Sequence, residues 1–171
     1  MDSQPVPAFK WISPLGISVM LFLVYGLVYI VIGALTPVMQ NRGIGSQILI
    51  ISTRTDGLVF GQPPVDLLRD DPALASLRTI LLNIIGGLLF AAGCFHLTIT
   101  WFGLRQGQAW ALIALAIGGL TVLPFYFVAL RPYFQPGINL ALSDMPPFMW
   151  IPAVLLLPAV ALGWLGLSIY P

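Results

Sequence analysis

A single histidine, His96, occurs in the chain, and it lies inside a run from Thr79 to Gly103 that carries no charged residue. An imidazole in such surroundings has three chemical uses. It can ligate haem iron or the magnesium of a chlorophyll-type pigment, it can move a proton, or it can sit neutral, bonded to a carbonyl, hydroxyl or water near a helix end. The last is the simplest expectation, so no cofactor is expected, and His96 stands as the one cofactor-binding candidate. Ala92 and Gly93 before it and Thr100 after it share its helical face. That small-residue surface admits a flat macrocycle or a neighbouring helix equally well. A bis-histidine haem within the chain is excluded, and Met20, Met39 or a ligand from a partner subunit would have to supply a second axial bond.

Few other residues are equipped for chemistry. Asn83 lies in the same run with Gly86, Gly87, Phe90 and Cys94 on its side, and its amide can bond across to another helix, a contact worth about 0.6–2 kcal/mol in a membrane. Cys94 is the only cysteine, which excludes an intramolecular disulfide and any Cys-x-x-Cys pair. It reads as a small core residue with an inert thiol. All six acidic residues are aspartates, and all fall in the N-terminal tail or between the apolar runs. No Ser, His and Asp set for nucleophilic catalysis is therefore expected, and no acid pair for proton-coupled transport inside a span. No metal site is expected, and the chain is read as leaning away from enzymes. Arg54, Asp56, Arg69 and Asp70 form the one polar group with binding potential outside the runs.

The elements that position these residues follow from composition. The 171 residues are 58% hydrophobic and 8% charged, with a mean hydropathy of +0.96, whereas soluble domains carry about 25% charged residues. A backbone in lipid must satisfy its own polar groups, as helices or as a closed barrel. Barrel strands alternate over about ten residues, and the runs here are longer and uninterrupted. The reading is all-α: a four-transmembrane-helix bundle of antiparallel up-down topology with a small loop cap on one side. The helices are expected over residues 11–38, 72–103, 109–130 and 146–170, with an extramembrane loop over 39–71. The first run is too long for a signal-peptide core and is expected to stay in the mature protein. A net charge of +1 gives no reason to expect nucleic acid.

Local signals refine this. Asp71 before Pro72 caps the second helix, and Ser143 or Asp144 is expected to cap the fourth. Pro124, Pro152 and Pro158 predict kinks, and Gln135-Pro136-Gly137 a connector. Leu68-x-Asp70-x-Pro72 and Leu142-x-Asp144-x-Pro146 repeat one pattern, which reads as a generic helix start in preference to a duplicated hairpin. Ile48–Ile51, Asp56-Gly57 and Leu58-Val59-Phe60 leave two options for the loop, a small β-hairpin or an irregular interfacial segment. Gly26, Tyr29 and Gly33 share a face of the first helix, Gly86 and Gly93 lie on the second, and Ala111, Ala114, Gly118 and Thr121 share a face of the third. Small faces let backbones approach closely, so they are expected at the bundle seam or against a partner. Trp11, Trp110, Tyr133 and Tyr170 are expected as interface anchors.

Orientation pits two signals against each other. Lys10 and Arg105 lie on the terminal side, against Arg42, Arg54, Arg69, Arg78 and Arg131 on the loop side, a count that favours cytoplasmic loops. The loop side also carries Asp56, Asp66, Asp70, Asp71 and Asp144. The stretch Trp101-Phe102-Gly103-Leu104-Arg105-Gln106-Gly107-Gln108-Ala109-Trp110-Ala111 resembles the turn between the second and third helices of small bacterial four-helix membrane proteins of the DoxX-like group. The resemblance implies a cytoplasmic turn, hence cytoplasmic termini, and no uniform activity. The leading functional expectation is a multi-pass cell-membrane protein acting as a structural or accessory subunit. It would contact lipid and other membrane subunits or copies of itself. The alternatives are a lipid-, quinone-, haem- or chlorophyll-binding protein using His96 and the loop polar group, and an oligomeric channel or transporter.

Overall fold

The computed structural model of the protein describes residues 9–40, 42–135, 138 and 140–169. Among them every regular element is a helix or a 3-10 turn. Four segments are long and apolar enough to cross a membrane: Pro14–Met39, Pro72–Gln106, Ala109–Phe134 and Met149–Ile169.

Helix α1 (Pro14–Met39) starts where Ser13 Oγ accepts the Gly16 N–H at 3.0 Å and Pro14, lacking an N–H, takes the first position. Trp11 and Ile12 precede it in a turn. After a 3-10 turn at Gly43–Gln47 come two short helices, α2 (Thr53–Phe60) and α3 (Pro64–Asp70). Of the two options for this loop no hairpin forms: Ile48–Ile51 is irregular, and the Asp56-Gly57 signal falls inside α2. Ser52 Oγ accepts the Thr55 N–H at 3.2 Å and nucleates α2 through the Asp56-Gly57 pair, and Gly61, at φ 75°, ends it.

Helix α4 (Pro72–Phe102) begins as its sequence predicts, with one Asp71 oxygen accepting the Ala73 and Leu74 N–H groups at 2.9 and 3.0 Å. A 3-10 turn at Leu104–Gln106 and Gly107, at φ 75°, reverse the chain into α5 (Ala109–Leu120). The third apolar run is interrupted at Thr121, between α5 and α6 (Val122–Leu130), where Pro124 offers no N–H to the Leu120 carbonyl and its ring crowds that group. A 3-10 turn at Arg131–Phe134 follows, and another at Leu142–Asp144. Helix α7 (Pro147–Ile169) runs unbroken through Pro152 and Pro158. The Asp144 carboxylate accepts the Ala141 N–H at 3.1 Å inside the turn that precedes α7, a bond without counterpart at Asp71. Pro136 and Gly137 of the expected connector lie outside the described residues.

Packing centres on α1, which lies against both α4 and α7. Gly26 faces Gly93 and Gly33 faces Gly86, so two glycines seven residues apart on each helix meet in reversed order. Seven residues is close to two turns, which returns both glycines to one stripe. On the other flank Ser18 Oγ donates to the Ala159 carbonyl at 2.6 Å, Gly163 packs on Ser18 and Leu112, and Gly166 on Leu15. The main core of Val19, Phe22, Leu104, Leu112, Leu115 and Leu156 fills the terminal half of the bundle. A smaller cluster of Ile51, Leu130 and Tyr133 closes the loop half.

Candidate functional site

Two polar constellations stand out among the described residues, one on the loop side and one reaching into the main core. On the loop side Asp56 is fully buried. Its Oδ2 accepts the Leu49 and Ile50 N–H groups, each at 2.8 Å, and its Oδ1 accepts the Ile51 N–H at 3.1 Å and the Tyr133 hydroxyl at 2.7 Å. Arg78, near the start of α4, serves the same segment with the opposite valence. Its Nε donates to the Ile48 carbonyl at 2.7 Å and its terminal nitrogens to Gln40 at 3.3 Å and Gly45 at 2.5 Å. A carboxylate only accepts and a guanidinium only donates. Between them they satisfy the N–H and C=O groups of a stretch that has no regular structure of its own, which is why no strand pairing is needed there.

The four loop residues singled out from sequence do not converge on one site. Asp56 lies at the centre of the buried nest. Arg54 pairs with Asp144 at 3.6 Å, while Arg69 pairs with Asp66 at 3.1 Å and with Asp70 at 3.0 Å along α3. Arg78, Gln40 and Tyr133 carry the nest with Asp56 and were not singled out for that role. Tyr133 is 1% exposed, so it is no interface anchor. Its residue type told nothing about a partner 77 positions away. Tyr170 lies outside the described residues, and Trp11 and Trp110 are exposed at the ends of their helices. Trp110 Nε1 donates to Gln108 Oε1 at 2.5 Å.

At the main core, Tyr25 and Tyr29 of α1, His96 of α4 and Tyr126 of α6 come together. The His96 ring stacks on Tyr25 with centroids 4.7 Å apart and meets Tyr29 edge-on at 6.2 Å. Its Nδ1 lies 2.9 Å from the Ala92 carbonyl, which can only accept, so the proton sits on Nδ1 and Nε2 keeps a lone pair. Nε2 and the hydroxyl of Thr100, one turn away, are both buried without a hydrogen-bond partner among the described residues. The Tyr25 hydroxyl donates to Tyr29 at 3.4 Å, and the Tyr29 and Tyr126 hydroxyls lie 3.5 Å apart. The small-residue surface beside His96 is taken by a neighbouring helix, since Gly93 packs on Gly26 of α1. No group of three or more His, Cys, Asp or Glu side chains able to hold a metal occurs among the described residues.

Gly26, Gly33, Gly86 and Gly93 all lie in the α1–α4 contact. An added Cβ at Gly33 would sit 2.6 Å from the Gly86 carbonyl oxygen, and one at Gly93 the same distance from that of Gly26. Asn83 Oδ1 accepts from Gln40 Nε2 at 2.6 Å, tying α4 to the end of α1. Ala114 is half-buried, but Gly118 does not belong to the seam. It is exposed, and a Cβ there would approach only His96 Cε1, at 4.0 Å, while Gly119 takes the seam position against Leu156. The expected face, Ala111 to Thr121, is rotated to Ala111, Leu112, Leu115 and Gly119. At the opposite end the Arg105 guanidinium lies over the rings of Trp101 at 4.2 Å, Phe9 at 5.6 Å and Trp11 at 6.0 Å.

The fold and these sites define an all-helical chain with four segments able to cross a membrane, compatible with an integral membrane protein. Compared with known proteins, the chain matches no family model, no curated protein and no solved structure.

Proposed function

We propose that this is a multi-pass protein of the cell membrane that serves as a structural or accessory subunit, its outward faces meeting lipid and either other membrane subunits or further copies of itself. The observation that carries this reading is how polar and apolar groups are divided. The buried loop-side charges, Asp56 and Arg78, order the chain's own connections, and the Arg54–Asp144 pair joins them. The candidate spans meanwhile turn large apolar residues outward, among them Leu88, Phe95, Leu157 and Trp164, each about two-thirds exposed. Apolar surface on this scale costs roughly 25 cal/mol per Å² in water and is stable against hydrocarbon or a partner.

An up-and-down bundle is supported by the reversed order in which Gly26 and Gly33 meet Gly93 and Gly86, and by Leu15 meeting Gly166. A loop cap is supported by the bonds from Asp56 to Tyr133 and from Arg54 to Asp144, which join the two loop-side connections. The Trp101–Ala111 turn, with its likeness to the DoxX-like group, fits the same class and brings no activity with it. Blue-native electrophoresis of gently solubilised membranes tests the proposal. A species heavier than the 18.5 kDa chain in its detergent belt is expected. A lone monomer in every mild detergent would remove the accessory-subunit reading.

A further inference from the structure

The three tyrosine hydroxyls at the main core do not close their own hydrogen-bond account. Tyr25 donates to Tyr29, and within the Tyr29–Tyr126 pair one hydroxyl donates to the other. Three hydroxyls have three protons, and contacts among the described residues use two. Whichever way the second bond runs, one proton is left on Tyr29 or Tyr126. Both bonds are also long, against about 2.7–2.8 Å for a good O–H···O contact, so the chain has slack as well as a spare donor.

All three tyrosines line one crevice, together with apolar residues that include Leu123, Met149 and Leu156. It contains no void the size of a water molecule, so a guest must part its walls. One wall is thinly backed. Helix α6, cut from α5 at Thr121, leans chiefly on α5 and on the 3-10 turn after it, with Phe125, Phe127 and Val128 all more than two-thirds exposed, Phe127 being 67%. No charged residue lines the crevice. A charged head would be left unpaired there, whereas a neutral oxygen acceptor would take the spare proton.

The geometry points to a lateral binding site between α6 and α7 for a neutral, lipid-soluble molecule whose small head carries an acceptor oxygen, held by the Tyr29 or Tyr126 hydroxyl while its apolar remainder stays in the lipid. The site rests on the bilayer reading of the four spans and goes beyond the subunit role. The test uses the full chain in phosphatidylcholine vesicles and two photoactivatable probes of equal length, each with a diazirine in the tail: a long-chain methyl ketone and the corresponding alkane. The ketone is expected to label the Leu123 and Met149–Leu156 peptides about tenfold more than the alkane, the worth of one hydrogen bond in apolar surroundings. Its carbonyl stretch, read on a carbon-13 probe, should move to lower frequency on binding. Both effects should vanish in the triple variant Tyr25→Phe, Tyr29→Phe, Tyr126→Phe, which keeps the rings and removes the hydroxyls. Should that variant not fold, the carbonyl shift in the native protein decides alone. Equal labelling by the two probes, an unshifted carbonyl, or ketone labelling that survives the triple variant would overturn the site. Failure of the alkane to label any outward-facing residue would overturn the bilayer reading and the site with it.

Discussion

Three consecutive N–H groups, those of Leu49, Ile50 and Ile51, converge on the carboxylate of Asp56, and the Tyr133 hydroxyl joins them. Hydrogen bonds to an ionised group are worth about 1.5–3 kcal/mol each, and a buried acceptor that loses its match is more costly than one never made. Asp56→Asn replaces an oxygen with a donor that faces other donors. It is expected to lower stability by roughly 2–4 kcal/mol, against about 1–2 kcal/mol for Tyr133→Phe, which removes one bond and keeps the ring. The unfolding midpoint in detergent micelles measures both. Limited proteolysis should in parallel show faster cleavage within residues 41–52 of the Asn variant. An unchanged midpoint and cleavage rate would mean that the carboxylate is not what orders this stretch. Arg78→Lys is not a conservative change here, because one ammonium cannot reach the Gln40, Gly45 and Ile48 carbonyls that the guanidinium fork spans.

At the scale of elements, the α1–α4 contact depends on four missing side chains. Without a hydrophobic drive between helices in lipid, close backbone approach supplies the van der Waals contact that holds them. Gly33→Ala and Gly93→Ala would each press a methyl within 2.6 Å of a facing carbonyl oxygen, so the helices must separate. A loss of about 1–3 kcal/mol apiece is expected from such overpacking. Gly87→Ala, on the same helix with nothing within 4 Å of its Cβ position, should be neutral or gain up to about 1 kcal/mol through helix propensity. Matched unfolding curves of the three variants test this contrast, and equal effects at Gly87 and Gly93 would refute it. The spacing of these glycines is visible in the chain, but which glycine faces which helix is not. Gly118 and Gly119 differ by one position and 100° of rotation, and only the packing of Leu156 selects Gly119.

For the whole molecule the deciding measurement is orientation. Arg42, Arg54, Arg69, Arg78 and Arg131 on the loop side stand against Lys10 and Arg105, and the positive-inside rule counts basic residues whether or not acids pair with them, so it favours cytoplasmic loops. On the likeness of the Trp101–Ala111 turn to the DoxX-like group we propose the opposite, cytoplasmic termini. In a Cys94→Ala background, Gln62→Cys should react with a membrane-impermeant maleimide on intact cells, and Gln106→Cys only after permeabilisation. The reverse pattern would invert the assignment.

The four apolar segments, the Asp71-Pro72 start of α4 and the tight turn around Gly107 are legible from the residues alone, because length, hydropathy, proline valence and capping act within a few positions along the chain. The burial of Tyr133, the Asp56–Arg78 division of one loop, the choice of Gly119 over Gly118 and the meeting of three tyrosines with His96 are not. Each joins residues far apart in sequence, or turns on which of two adjacent side chains a helix presents to its neighbour. Local chemistry permits either outcome, and close packing admits only one.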